Sequence, residues 1–154
     1  MAKKSIEIIK TGRNRLIATL EGLTTEQLNH IPEGYNNNMI WQLGHVIAVQ
    51  QGVTYPKAKL TPVIDEALMA QYGNGTKPET VLDAKAIAEM HALSARTLEQ
   101  FEKDLANDLF RNYDSWSFPN GMTFDSIEDA LQMLAFHEGM HYGYAQALKR
   151  AVLQ

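Results

Sequence analysis

Ile127, Leu131, Leu134, His137, His141, Ala145, Leu148 and Val152 follow one another at intervals of three and four residues. That interval marks one face of an α-helix. It predicts a long amphipathic helix that starts after Asp125 or Ser126 and runs nearly to the C-terminus. Such a stripe has to be buried against other elements, and the rest of the chain offers helices to do it.

A first helical segment is expected over about Ser5 to Gly22, with Ile6, Ile9, Leu16, Ile17 and Leu20 near one face. Ser5 can cap its start, and Gly22 can end it in a left-handed conformation. Thr24 followed by Gln27 is a capping-box pattern that predicts a short helical turn, stopped by Pro32 and Gly34. A second helix is expected over Met39 to Tyr55, capped by Asn38 or Asn37. Its Ile40, Trp41, Leu43, Val46, Ile47, Ala48 and Val49 cover more than half the circumference, which predicts burial against several neighbours. Pro56 and Pro62 break the pattern. Residues 56–79 then read as a long connection with a short helix around Asp65 to Tyr72.

The third helix is expected over Thr80 to Leu105, with Leu82, Ala86, Met90, Leu93, Phe101 and Leu105 at helical spacing. A small hairpin is expected around Pro119-Asn120-Gly121. No strand-rich stretch or repeat interrupts this series. The fold class is therefore all-α, a four-helix bundle with a long crossover between its second and third helices. At 154 residues the chain suits one domain, residues 1–154.

Two histidines stand where the fourth helix's stripe calls for apolar side chains. Residues four apart share a helix face, so His137 and His141 can ligate one ion. Burying two imidazoles unpaired costs about 1–3 kcal/mol for each polar group left without a partner, and a metal ion supplies a partner to both. A core hydrogen bond for each ring, or a solvent-facing pair, is the other reading. His45 shares a stripe with Trp41, Ala48 and Gly52 on the second helix and is the candidate third ligand. Gly44 and Gly52, unfavourable inside a helix, could let another helix or a ligand approach closely. His30 and His91 are weaker candidates.

His137-Glu138-Gly139-Met140-His141 also matches the H-E-x-x-H pattern of zinc metalloproteases, in which the glutamate is the general base. No His, Asp or Glu follows His141 to serve as a downstream ligand, and the peptide-binding sheet of such enzymes has no sequence here. Glu138 stays as the candidate catalytic residue, able to reach a metal-bound water, or as an exposed helix residue.

Charge and composition narrow the function classes. The formal net charge of −4 and the lack of a basic cluster argue against nucleic-acid binding. No apolar run approaches the length of a membrane span, and the N-terminus has no secretory h-region. A soluble, cytoplasmic protein is expected. The absence of cysteine excludes thiolate ligands and cysteine nucleophiles, so any thiol chemistry needs a co-substrate.

The segments Asn37-Asn38-Met39-Ile40-Trp41-Gln42-Leu43-Gly44-His45 and His137-Glu138-Gly139-Met140-His141-Tyr142-Gly143 resemble the DinB-like superfamily of metal-binding four-helix bundles. Leu23-Thr24-Thr25-Glu26-Gln27-Leu28-Asn29 resembles that family's stretch after its first helix. The resemblance covers nearly the whole chain. It implies an up-up-down-down bundle, often a homodimer, with three histidine ligands for zinc, nickel or a similar divalent ion. By position these are His45, His137 and His141. One departure is Tyr144 after Gly143, where many relatives have glutamine.

Relatives of this kind include transferases that use low-molecular-weight thiols. The resemblance thus implies a metal-dependent thiol S-transferase acting on small electrophiles. Arg13, Arg96, Arg111 and Arg150 are candidates for binding the thiol's carboxylates. A metal-dependent hydrolase using Glu138, and a non-catalytic metal-stabilised bundle, are the alternatives.

Overall fold

Each helix begins at a residue whose side chain can accept a hydrogen bond from an otherwise unpaired backbone N–H. The exception is the first, which in the computed structural model is already formed at the first of the described residues, 2–154. Helix α1 spans Ala2–Leu20, three residues ahead of the Ser5 start, and stops before Gly22 at φ +77°. Helix α2 (Thr25–Asn29) carries the expected capping box. Gln27 N–H donates to Thr24 Oγ1 (3.2 Å) while Thr24 N–H donates to Gln27 Oε1 (2.9 Å). Helix α3 (Met39–Thr54) starts at Asn38, whose Oδ1 accepts from Trp41 N–H at 2.9 Å. Thirteen of its sixteen residues are buried, so α3 is the central helix that its broad apolar surface predicts.

The crossover holds a 3-10 turn (Pro56–Ala58) and helix α4 (Glu66–Gln71), capped by Asp65. Helix α5 (Ala84–Ala106) begins after Asp83, four residues later than Thr80. Its inward face is rotated from the expected stripe: Ile87, Met90, Ser94, Thr97, Leu98, Phe101 and Asp104 are buried, Leu93 and Leu105 lie at the margin, and Leu82 precedes the helix. Asp104 is buried because the Tyr55 hydroxyl and Gln100 amide both donate to it, at 2.7 and 2.8 Å. Strands β1 (Trp116–Ser117) and β2 (Thr123–Phe124) form the expected small hairpin, with Trp116 opposite Phe124. Helix α6 (Ile127–Val152) follows, capped by Ser126.

The four long helices α1, α3, α5 and α6 make the all-α bundle, but their directions differ from up-up-down-down. Arg13 meets Glu138, Thr19 meets Gln146, and Glu21 meets Lys149, so α1 and α6 run parallel. His45 meets His137 and Gln42 meets His141, so α3 runs against α6. Lys10 meets Glu102 and Arg13 meets Ser94, so α5 runs against α1. The order is up-down-down-up. Two overhand connections are needed for up-up-down-down, whereas a single one leaves one parallel consecutive pair. Here that pair is α3 and α5. The second long connection, residues 107–126, is folded back into the hairpin and joins antiparallel helices.

Two apolar clusters fill the interior. One gathers Leu16, Leu20, Met39, Leu43 and Leu148; the other gathers Ile9, Tyr55, Phe101, Leu131 and Leu134. Between them lies a polar layer, since Arg13 falls between Ile9 and Leu16 along α1, and Glu138 falls between Leu134 and Ala145 along α6. No described helix is long and apolar enough to cross a membrane.

Gly52 has no atom near the position its Cβ would take. Gly52→Ala should therefore stabilise the fold by about 0.5–1 kcal/mol, through the lost backbone freedom of the unfolded chain. Thermal unfolding checks this; a lowered melting temperature would show that an unseen contact uses the space.

Candidate metal centre

The polar layer has a second component, made of three histidines. Helix α3 contributes His45, and two successive turns of α6 contribute His137 and His141. One nitrogen from each ring lies within 4.8 Å of the others. His137 Nε2 is 3.3 Å from His45 Nε2. Two imidazoles bound to one tetrahedral ion through bonds of about 2.1 Å place their nitrogens about 3.4 Å apart, so this pair already has a shared-ion spacing. Among the described residues these three form the group of His, Asp or Glu side chains with metal-ligand spacing. His30 is exposed and His91 half-buried, both outside it.

Hydrogen bonds set which nitrogen faces the centre. The Tyr72 carbonyl can only accept, so His45 Nδ1 must donate to it (2.7 Å), which leaves the Nε2 lone pair pointing inward. His141 Nδ1 likewise donates to Gln42 Oε1 at 2.7 Å. Such partners orient metal-binding imidazoles. Trp41 stacks on His45 with centroids 4.6 Å apart and planes 14° apart, which fixes the ring from one face. His137 Nδ1 is buried without a partner.

The environment keeps all three rings neutral at pH 7. Burial, then the neighbouring His141, His45 and Arg13, pushes His137 down to about 3. Burial, His45 and Arg13 push His141 down to about 4. Burial lowers His45 against the opposing effect of its bond to Tyr72. Converging lone pairs that resist protonation are the donor set a divalent cation requires.

The histidines line a cleft of about 740 Å³. Val49, Val53, Met133 and Phe118 give it an apolar wall, and Asn36, Asn37, Asn74, Thr76 and Lys77 a polar one. No carboxylate lines it, and Lys77 is its one Lys or Arg. Sequence reasoning missed Lys77 because it sits in the crossover, where no helical period marks a facing side.

Glu138 lies elsewhere. It is 1% exposed, does not line the cleft, and binds Arg13. Arg13 Nε donates to both carboxylate oxygens (3.0 and 3.1 Å), and Nη2 donates to Oε1. Arg13 also donates to Ser94 Oγ (3.2 Å) and the Val46 carbonyl (3.1 Å). One ion pair thus joins all four long helices. A Cβ on Gly12 would lie 2.8 Å from Glu138 Cβ, so glycine there lets α1 come close enough to form it. The general-base expectation for Glu138 does not match this geometry, nor is the residue exposed. Of the arginine candidates, Arg13 is held in this pair, and Arg96, Arg111 and Arg150 do not line the cleft.

The sequence profile of the DinB superfamily matches residues 8–145, a span that includes all three histidines. No curated protein sequence matches the chain.

Proposed function

The chain belongs to the DinB superfamily, and on that premise we propose that His45, His137 and His141 bind one divalent metal ion, zinc or nickel, in the active site of a thiol S-transferase acting on small electrophiles. The convergence of three neutral imidazole nitrogens at the floor of a cleft carries this reading. Three protein ligands leave a coordination position for a reactant, as catalytic sites do.

A divalent ion held there supplies the charge that keeps a thiol deprotonated at neutral pH. The chain has no cysteine, so that thiol is a co-substrate. Its sulfur forms the new S–C bond as the electrophile's leaving group departs with its electron pair, and the thiol proton goes to solvent. Tyr72 and Gln42 hold the rings in register. Val49, Val53, Met133 and Phe118 would shelter the electrophile's apolar part from water, and Lys77, which lines the same cleft, would bind an acidic group on either reactant. A hydrolase using Glu138 as base has less support, because the Arg13 guanidinium occupies that carboxylate.

Zinc- or nickel-loaded protein, incubated with low-molecular-weight thiols and a chromogenic electrophile, should form adduct faster than the uncatalysed reaction. His45→Ala should abolish the excess. Background rates with every thiol, from protein shown to contain metal, would remove the transferase reading and leave a metal-binding bundle.

A further inference from the structure

Glycine is unfavourable inside a helix, yet α3 carries two. Gly52 has open space around it, whereas Gly44 has a steric reason. A Cβ on Gly44 would lie 2.5 Å from Tyr72 Cε1 and 2.7 Å from Cγ, well inside contact distance. The Tyr72 ring lies flush against the α3 backbone because residue 44 has no side chain. Tyr72 is 4% exposed and follows the last residue of α4. The final carbonyls of a helix lack intrahelical partners, and the Tyr72 carbonyl finds one in His45 Nδ1–H. The next residues of the crossover, Asn74, Thr76 and Lys77, form one wall of the cleft.

We propose that Gly44 and Tyr72 position His45, and that through them occupancy of the metal centre is linked to the order of the crossover. The inference rests on the metal-binding reading above and adds a residue that touches neither metal nor reactant. The ring seated on Gly44 sets the height of the Tyr72 carbonyl, and that carbonyl sets the rotation of the His45 imidazole. A cation on Nε2 draws electron density from the ring and makes Nδ1–H a stronger donor, so the ion tightens the bond that holds the crossover down. Linkage is reciprocal: anything that lifts the crossover weakens the ion's binding by the same factor. Gly44 is thus a positioning residue, acting through Tyr72 and His45.

The test combines zinc affinity, measured by competition with a chromophoric chelator, with hydrogen exchange of residues 66–80 in the presence and absence of zinc. Zinc should slow exchange across this segment in the wild type. Gly44→Ala should bind zinc about 10–100-fold more weakly, the usual range for losing a partner behind a ligand, and should lose that slowing. Tyr72→Ala, which creates no clash and so guards against a Gly44→Ala variant that fails to fold, should do the same. In the double variant the added methyl has room, so its affinity should equal that of Tyr72→Ala alone. Gly52→Ala should bind zinc as the wild type does. Wild-type affinity in Gly44→Ala, or exchange in residues 66–80 indifferent to zinc, overturns the linkage while leaving the metal centre intact. A wild type that binds neither zinc nor nickel overturns both.

Discussion

Glu138→Ala should destabilise the protein by about 3–5 kcal/mol, the cost of leaving one member of a buried ion pair without its counter-charge. Arg13 is fully buried, so its guanidinium has no water to replace the lost carboxylate. Marginal stability makes this large, since a domain holds only about 5–15 kcal/mol in total. Arg13→Ala should cost a similar amount from the other side. The double variant Arg13→Met with Glu138→Leu should recover much of the loss, because two apolar side chains of similar volume need no partner. Urea unfolding at neutral pH measures all of them. A Glu138→Ala variant within about 1 kcal/mol of wild type would mean that the ion pair does not hold the layer between the two apolar clusters. It would also return Glu138 to consideration as a chemical group.

Metal removal is the second large effect. An ion present at a thousand times its dissociation constant adds about 4 kcal/mol to the folded state. For a domain of this size each kcal/mol moves the melting temperature by about 2–4 °C, so chelation should lower it by roughly 8–16 °C. His45 and His137 stand 92 residues apart, and the chain has no disulfide. The ion would be a cross-link between distant segments that no covalent bond supplies. Calorimetry of zinc-loaded and chelated protein gives the shift, and it should vanish in His137→Ala/His141→Ala. Identical melting of the two preparations, with elemental analysis finding no metal in either, would sink the shared site.

The sequence made the bundle legible because helical periodicity and caps are local. Asn38, Ser126 and the Thr24–Gln27 box mark starts that the structure reproduces. The histidine pair was legible for the same reason: His137 and His141 replace apolar residues in an inward stripe. His45 became legible only beside that pair, because a single buried histidine has many explanations.

Glu138 was misjudged through its neighbour. Adjacent helix residues point about 100° apart, so they do not share a face, and Glu138 turns toward α1 while His137 turns toward the cleft. A signal for the ion pair was present. Arg13 stands four residues after Ile9 and three before Leu16, at an inward position where a cation demands a buried partner. Tyr72 left no such signal, because its contribution is a backbone carbonyl that every residue has. Helix direction was hidden as well, since two connections are long and only folding shows that residues 107–126 double back.

The parallel pairing of α1 with α6 has a consequence for how the chain is made. These two helices form the most extensive interface between elements, yet Arg13 and Glu138 are separated by 125 residues. At a translation speed of about 5–20 residues per second, α1 waits roughly 6–25 s for its main partner to be synthesised. During that interval Ile9, Leu16 and Leu20 have no α6 to cover them, and Arg13 has no counter-ion. Nascent chains paused before the codons of α6 should therefore be the form that chaperones recognise and proteases cut. Synthesis of α6 should be the step that lets the bundle close.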